Sequence, residues 1–294
     1  MRAHPWQPES PCGPECFAKD TPSVPMPRIV LRLVSVVAFV LFAVLVAALL
    51  PVMGRRVRER VVGWIFRTVT RAAGARMEIH GRDNLSVRGG ALVVNNHISW
   101  LDIVAVNAAR PMRAQGKKEV RGWPVIGLLA TRAGTVYVDR ENLRVLPAGV
   151  AELAEAMRSG SLVNVSPEGT TWCGRESGRF RPAAFQAAID AGVPVVPIAL
   201  RYRLADGQDT AAPAFIGDET LLDSVYRTAK TRGLVVEVHV LKAIDSTVAR
   251  DRKELALLAQ TAVTTALEAV RPKTARAVSE TVPFVHLKEN ERVR

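Results

Sequence analysis

The sequence has few cysteines and few aromatic residues, and each shortage excludes a class of protein. Three cysteines in 294 residues cannot form a disulfide framework, and their scarcity fits a reducing compartment. Aromatic residues make up only 5%, so a surface on which nucleic-acid bases stack is a poor fit. A glycine repeat and a run of heptads are also missing, which excludes collagen and long coiled coils. Hydrophobic residues make up 48%, so the chain can bury a sizeable core.

Basic residues outnumber acidic ones in this chain. Lys and Arg total 40 and Asp and Glu total 28, which gives a formal net charge of +12 at pH 7. A charge of this sign attracts an acidic partner, but nucleic acid, anionic lipid and an acidic carrier molecule all meet that description. The sequence contains no groove-reading motif, and the positive charge lies next to an apolar span. We therefore expect no nucleic acid among its partners.

Positions 33–54 carry no charged side chain and consist mainly of Val, Leu, Ala and Phe. A helix of this length measures roughly 33 Å, enough to cross a hydrocarbon core of about 30 Å. Secretory signals have shorter apolar regions and end in a cleavage site of small residues, whereas arginines follow this run directly from Arg55 onwards. The sequence therefore predicts a transmembrane anchor over residues 29–54, with a buried core helix as the alternative.

Residues 55–74 place apolar side chains at helical spacing, with arginines on the other positions of the helix. The apolar set is Val57, Val61, Ile65 and Val69. Next to a membrane anchor, this pattern predicts an amphipathic helix in the headgroup layer; a surface helix packed on the domain is the alternative. Positive charge is denser after the anchor than before it, so we expect a single-pass protein of the cell membrane with its main domain in the cytoplasm.

The rest of the chain divides into two tails and one domain. Proline-rich residues 1–28 predict a disordered extension, and polar residues 273–294 predict a C-terminal tail. Residues 75–272 alternate β-rich runs with helical stretches, which predicts an α/β domain with a mixed, mainly parallel sheet flanked by helices. The predicted strands are Met77–His80, Ala91–Asn95, Thr135–Val138, Leu162–Ser166, Val195–Arg201 and Val235–Leu241. The predicted helices are Trp100–Ala109, Arg144–Ser159, Phe185–Ala191 and Lys253–Val270.

A polar segment with His97 and Asp102 follows one predicted strand and precedes a predicted helix. The two residues are too far apart in sequence to share one helix face. If the turn lies between them, however, Asp102 reaches back to the imidazole, and His97 can then take a proton from a hydroxyl group. A structural alternative exists, because Ser99 and Asp102 also fit a capping box in which His97 is an ordinary turn residue.

The segment Ser-Pro-Glu-Gly-Thr-Thr at positions 166–171 follows another predicted strand. Gly169 permits close approach of the backbone to a ligand, and Thr170 and Thr171 supply donors suited to a phosphate or an oxyanion. A surface turn is the alternative interpretation.

Two other patterns in the sequence have features of ligand sites. Arg140 at a strand end suits bidentate binding of a phosphate, or a solvated pair with Asp139. Cys12 and Cys16 with nearby His4 form only a weak zinc pattern, so we predict no metal site.

Taken in order, these segments resemble the glycerolipid acyltransferase family. Four blocks at family spacing carry the resemblance, which covers roughly residues 77–202 and is far more specific than any one block. They are Asn96–Asp102, with the family's His-x4-Asp pattern, Gly134–Arg140, Pro167–Thr170 and Val193–Ile198.

The resemblance implies transfer of a fatty acyl group from acyl-CoA or acyl carrier protein to the free hydroxyl of a lysophospholipid. His97 is expected as the general base and Asp102 as the group that orients it and stabilises its charge. The expected acceptor is 1-acylglycerol-3-phosphate, which would give phosphatidic acid, and no cofactor is implied. The substrate-binding residues expected from the blocks are Asn96, Arg140, Glu168, Gly169, Thr170 and Thr171. Residues 75–272 are then the acyltransferase domain.

One position departs from the family pattern. Many members carry Arg directly after Glu-Gly-Thr, whereas this chain has Thr171. Without that guanidinium a strong phosphate contact is missing, so a different lysolipid, such as a lyso-aminolipid, stays open as the acceptor. A lipid-binding protein without catalytic activity is a further alternative. In every case the membrane bilayer is an expected partner, because a lipid substrate resides there.

Overall fold

The computed structural model describes residues 8–139 and 142–271, and these residues form eight α-helices and seven β-strands. The helices are α1 Met26–Leu49, α2 Arg55–Ala72, α3 Leu101–Ala109, α4 Ile126–Arg132, α5 Leu146–Arg158, α6 Ala183–Ala191, α7 Leu221–Lys230 and α8 Arg252–Val270. The strands are β1 Arg76–His80, β2 Ala91–Asn95, β3 Arg113–Lys117, β4 Val136–Val138, β5 Leu162–Val165, β6 Val195–Arg203 and β7 Val235–Val240.

The strands form one sheet in the order β1-β7-β6-β2-β5-β3-β4. Neighbouring strands are parallel except for β6 and β7, which run antiparallel. Parallel strands need helical crossovers, and those helices cover both faces of the sheet, so central strands are apolar throughout. All five residues of β2 are accordingly buried. The prediction of a mixed, mainly parallel sheet flanked by helices is confirmed.

Two hydrophobic cores lie on opposite faces of the sheet. Val93 points into the core formed with α2 and α3, whereas Leu92 and Val94 point into the core formed with α5, α6 and α8. This alternation follows from the two-residue period of a strand. Both cores hold β2 in the middle of the molecule, so the turn that follows β2 starts from a rigid support.

The apolar N-terminal helix α1 is long and apolar enough to cross a membrane by length and composition, and little of it is buried. Its exposed apolar residues are Met26, Val30, Leu31, Val34, Val37, Leu41, Phe42, Leu45 and Leu49. Near its start, Arg32 donates hydrogen bonds of 2.8 and 2.9 Å to the carbonyl oxygens of Ala229 and Thr231. Near its end, buried Val46 and Ala47 lie close to α4. Both ends of α1 therefore contact the domain.

The second helix, α2, has the amphipathic character that its sequence predicts. Ile65 and Val69 are buried in the core, and Trp64 makes edge-on contacts with Phe39 and Phe42 of α1 at centroid distances of 6.3 and 6.1 Å. Val57, a member of the predicted apolar set, is instead exposed. The inner face of α2 thus packs on the domain, as in the alternative interpretation, while its arginine-rich first turns face outwards.

Within the extension predicted to be disordered, residues 8–25 pack against the domain. Cys12 and Val24 are buried, and Ser23 forms an isolated bridge with Thr231. Prolines prevent a long helix or strand here, but they do not prevent apolar side chains from being buried against the domain. Residues 8–25 thus lie against the domain and residues 26–28 begin α1, where the sequence predicts a disordered extension over residues 1–28. Residues 1–7 and the tail 273–294 lie outside the described residues.

Candidate active site

The site is built at the carboxyl end of the central strand β2. β2 ends at Asn95, His97 lies in the turn that follows, and Asp102 is the second residue of α3. The two side chains therefore approach one another from opposite ends of a strand-to-helix turn, as their spacing predicts. In α/β folds this edge of the sheet is where ligands bind, because the loops there converge around the strand ends.

His97 and Asp102 form a hydrogen-bonded pair. Nδ1 of His97 lies 2.8 Å from Oδ2 of Asp102, and it is the donor because a carboxylate can only accept. The Asp102 side chain is 2% exposed and the His97 side chain is 30% exposed. The carboxylate is therefore sealed inside the protein while the ring reaches the surface. With Nδ1 bound to Asp102, Nε2 is the ring atom left to exchange a proton with a substrate.

Three further donors converge on the carboxylate of Asp102. The backbone N–H groups of Ile98 and Ser99 donate to Oδ2 over 2.7 and 2.9 Å, and the hydroxyl of Tyr202 donates to Oδ1 over 2.6 Å. The bond from Ser99 is one half of the capping box considered from the sequence. The other half is absent among these residues, since the Ser99 hydroxyl accepts from Leu101 instead. The same carboxylate thus holds the turn in shape and orients His97.

Tyr202 is a site residue that the sequence did not indicate. It lies in β6, is buried, and contacts Asp102 from a part of the chain far from the turn. Burial and the neighbouring Asp102 charge raise the pKa of the Tyr202 hydroxyl well above its usual range, so it stays protonated and keeps donating. A single tyrosine in an apolar strand carries no sequence signal that separates this role from core packing.

The side chain of Glu168 binds backbone groups of the turn and of the loop that follows β5. Its Oε2 accepts from the backbone N–H of His97 over 2.6 Å, and its Oε1 accepts from that of Gly178 over 2.9 Å. The residue is 2% exposed. Burial raises the pKa of the Glu168 carboxyl to about 8, against the lowering effect of the two N–H donors. These contacts show Glu168 bound to backbone N–H groups; the substrate-binding role expected from its sequence block stays a prediction.

Two other predicted substrate-binding residues also bond to backbone groups. The buried Asn96 amide donates to the carbonyl oxygen of Leu200 over 2.9 Å and accepts from its N–H over 2.8 Å. The Thr171 hydroxyl donates to the carbonyl oxygen of Phe215. Asn96 therefore joins the turn to β6, and Thr171 joins its loop to the segment that follows β6.

The remaining predicted binding residues are Gly169, Thr170 and Arg140. Gly169 has φ +77°, a left-handed conformation that favours glycine, and a Cβ there would lie 2.6 Å from Cγ of Pro8. Thr170 is half-buried beside it. Arg140 lies outside the described residues. The strand before it, β4, is at the edge of the sheet and three places from β2.

Among the described residues, one group of side chains is placed to hold a metal ion. It consists of Cys12, Cys16 and Cys173, whose sulfur atoms all lie within 4.8 Å of one another. None of the three contacts Asp102 in the hydrogen-bond network above.

Comparisons with known proteins agree with the resemblance in sequence. A family model described as acyltransferase matches residues 76–201. The chain is 34% identical over 198 residues to the 1-acyl-sn-glycerol-3-phosphate acyltransferase of Neisseria meningitidis, covering 67% of this chain and 77% of that protein. It is 35% identical over 212 residues to the lyso-ornithine lipid O-acyltransferase of Pseudomonas aeruginosa, covering 71% and 79%.

The fold is similar to a solved structure. The crystal structure of the 1-acyl-sn-glycerophosphate acyltransferase PlsC from Thermotoga maritima superimposes with a TM-score of 0.66 at 18% sequence identity. The match covers 83% of this chain and 96% of that one. At this identity the likeness concerns the fold.

Proposed function

Because the chain belongs to the glycerolipid acyltransferase family, and so is an acyltransferase, we propose that it moves a fatty acyl group from a thioester to the free hydroxyl of a lysophospholipid. The observation that carries the proposal is the contact between Nδ1 of His97 and the buried carboxylate of Asp102. A lipid-binding protein without catalytic activity is set aside, because the family to which the chain belongs consists of enzymes.

In the proposed mechanism, His97 is the general base. Nε2 takes the proton from the acceptor hydroxyl as the hydroxyl oxygen attacks the carbonyl carbon of the thioester. The tetrahedral intermediate then expels the donor thiolate, and the imidazolium returns the proton to the sulfur. No acyl-enzyme is required, since the thioester is already activated and the lipid supplies the nucleophile. Asp102 stabilises the imidazolium in the interval and keeps Nε2 free of a proton beforehand.

Tyr202 and Glu168 have positioning roles in this mechanism. Tyr202 binds the carboxylate oxygen that His97 does not use, which fixes the plane of Asp102. Glu168 binds the N–H of His97 and so fixes the backbone from which the imidazole projects. Small displacements of a catalytic group lower the reaction rate strongly, because the reacting atoms must lie within a narrow range of distances and angles.

The proposed acceptor is 1-acylglycerol-3-phosphate and the proposed product is phosphatidic acid. The relative from Neisseria supports this acceptor by its name. Within the expected binding set, Arg140 is the proposed phosphate ligand, together with the backbone around Gly169 and Thr170. The donor is acyl-CoA or acyl carrier protein, both of which are acidic and suit the positive charge of the chain.

A second acceptor, a lyso-aminolipid such as lyso-ornithine lipid, is favoured by two observations. The relative from Pseudomonas is named for that substrate and has a similar identity to this chain. Thr171 donates to the Phe215 carbonyl and brings no cation to the position where many family members carry Arg. An acceptor without a phosphate needs no guanidinium there.

A competition assay tests the choice of acceptor. The full chain in mixed micelles receives equal amounts of 1-acylglycerol-3-phosphate and lyso-ornithine lipid, with acyl-CoA or acyl carrier protein as the donor, and mass spectrometry identifies the products. Phosphatidic acid in clear excess supports the proposal, whereas an excess of acylated ornithine lipid supports the second acceptor. Thr171→Arg should shift the ratio towards phosphatidic acid, while the exposed control Thr247→Arg should leave it unchanged.

We also propose that α1 and α2 attach the enzyme to the cell membrane with the domain on the cytoplasmic side. The exposed apolar residues of α1 and the arginines of α2 support attachment to an anionic bilayer. Both ends of α1 contact the domain, so the single crossing that the sequence predicts would require one of these contacts to open. Attachment along the exposed side of α1 keeps both contacts, and we favour it.

A further inference from the structure

All three cysteines of the chain meet at one place in the structure. Cys12 and Cys173 are buried, Cys16 is half-buried, and none of the three is in a disulfide. Their sulfur atoms lie within 4.8 Å of one another. We propose that Cys12, Cys16 and Cys173, called here the cysteine cluster, bind one thiophilic divalent ion, for which Zn²⁺ is the best match.

The spacing of the sulfur atoms suits such an ion. Tetrahedral zinc with Zn–S bonds of about 2.3 Å places its sulfur ligands about 3.8 Å apart, which is compatible with sulfur atoms that all lie within 4.8 Å of one another. Cys12 and Cys16 are separated by three residues, a spacing within the range of zinc ligands that come from one segment. A short 3-10 turn, Pro14–Cys16, bends the chain so that both side chains face Cys173.

One backbone contact of the cluster suits a bound thiolate. The backbone N–H of Cys173 donates to Sγ of Cys12 over 3.3 Å. Hydrogen bonds of this kind fix the orientation of metal ligands. Sulfur is the softest ligand that a protein offers, and three sulfurs with no carboxylate among them select Zn²⁺ over Mg²⁺ or Ca²⁺. Each thiol that binds releases its proton to the buffer.

Three protein ligands leave one tetrahedral position for solvent. Cys16 forms the half-buried side of the cluster, so water has access from that side. In zinc sites with three protein ligands the fourth position holds water or another small ligand, whereas closed four-cysteine sites have no such position. The acyl transfer proposed above does not use the proposed site.

From the location of the cluster, a bound ion would connect two separate segments of the chain. Cys173 follows Trp172, whose backbone N–H donates to the carbonyl oxygen of His97 over 2.8 Å. The same loop begins at Glu168 and Gly169, and Pro8 packs against Gly169. An ion bound to Cys12, Cys16 and Cys173 would therefore link the N-terminal segment to the loop after β5. The same loop binds the backbone of His97 through Trp172.

The test measures metal binding by the full chain in detergent. The protein is purified with reduced thiols, stripped with a chelator and titrated with Co²⁺, which reports tetrahedral thiolate ligands by its sulfur-to-metal charge-transfer absorption. Zn²⁺ content is measured in parallel by elemental mass spectrometry. The variants are Cys12→Ser, Cys16→Ser and Cys173→Ser, and the control is Thr21→Ala in the same N-terminal segment. Circular dichroism checks that each variant is folded.

We expect one ion per chain and a charge-transfer band in the wild type and in Thr21→Ala. Each cysteine variant should weaken Co²⁺ binding by about tenfold or more, since it removes a ligand from the ion. Zn²⁺ should also slow the reaction of wild-type thiols with a disulfide reagent, a readout that needs no variant. Wild-type protein with three free thiols, no charge-transfer band and no protection by Zn²⁺ would overturn the proposal. A disulfide between two of the three cysteines in anaerobically purified protein would overturn it as well.

Discussion

The hydroxyl of Tyr202 donates a 2.6 Å hydrogen bond to Oδ1 of Asp102, the carboxylate oxygen that His97 leaves unused. The pair joins β6 to the start of α3 inside the protein, where neither group meets solvent. Tyr202 thus belongs to the candidate active site through its contact with Asp102.

Tyr202→Phe removes this hydrogen bond and the contact of the hydroxyl with the Ser99 side chain, and it keeps the ring in the core. We expect kcat to fall by roughly tenfold with KM for both substrates unchanged, because Asp102 loses a fixed orientation rather than a substrate contact. The free energy of unfolding should fall by about 1 kcal/mol. Steady-state kinetics and urea unfolding in detergent measure the two effects. A rise in KM with an unchanged kcat would contradict the positioning role.

Glu168 makes the stability of the fold depend on pH. Burial raises the pKa of this carboxyl to about 8, so the folded chain holds the proton more tightly than the unfolded chain does. The stabilisation from this proton is complete below the unfolded pKa of about 4.3 and is lost as the pH rises through about 8. A glutamine at position 168 does not titrate. The urea midpoint of Glu168→Gln should therefore fall less than that of the wild type between about pH 5 and about pH 9.

The exposed control for this experiment is Glu176→Gln, on the same loop. It should keep the pH dependence of the wild type. Equal pH dependence in the wild type and in Glu168→Gln would show that the Glu168 carboxyl has no raised pKa. Urea midpoints at the two pH values are sufficient for the comparison.

Asn96→Ala separates a structural role from a substrate-binding one. The amide of Asn96 binds both backbone groups of Leu200, so its loss leaves a buried N–H and a buried carbonyl without partners. We expect a loss of about 2 kcal/mol or more in the free energy of unfolding, with KM for the acceptor unchanged. The control Glu152→Ala, at an exposed position of α5, should change neither quantity. A higher KM with unchanged stability would instead restore the substrate-binding interpretation.

The first turns of α2 should bind anionic membranes. Arg56 and Arg60 line a cleft of about 440 Å³ that also includes Arg67, Arg82 and Arg110. Charge reversal of Arg56 and Arg60 to Glu should weaken binding to vesicles rich in anionic lipid by tenfold or more, since each basic residue contributes about 1 kcal/mol. Vesicle sedimentation measures the effect. The matched control, reversal of exposed Arg158 at the end of α5 and exposed Arg250 just before α8, should bind as the wild type does.

The sequence predicted the elements whose pattern is local. β2 matches its prediction to the residue, because its five residues form a short run that the core buries completely. β3 was missed, since Arg-Ala-Gln-Gly-Lys has no apolar pattern and becomes a strand only by pairing with β4 and β5. α7 was also missed, although Thr220 and Asp223 form a capping box at its start. This capping box is a helix-start signal that the sequence itself carries.

For the candidate site, spacing predicted the partners within one turn and missed those across the fold. His97 and Asp102 meet because one strand-to-helix turn separates them. Tyr202 and Cys173 reach their partners through the sheet topology, which a local pattern does not contain. The family blocks also marked Asn96 and Glu168 as site residues without indicating that their side chains bind backbone groups. A sequence motif identifies residues close to the catalytic groups. Only the contacts in the structure show whether such a side chain is placed to bind substrate or holds the backbone.

The most direct test of the account is acyl transfer by His97→Ala. Full-length protein in mixed micelles receives acyl-CoA and 1-acylglycerol-3-phosphate, and release of free thiol and formation of diacyl product are measured together. The control His80→Ala removes an exposed histidine from the edge strand β1. We predict that His97→Ala lowers turnover by about two to four orders of magnitude, the usual contribution of a general base, while His80→Ala stays near wild type. Near-normal turnover in a folded His97→Ala variant would contradict the assignment of His97 as the base.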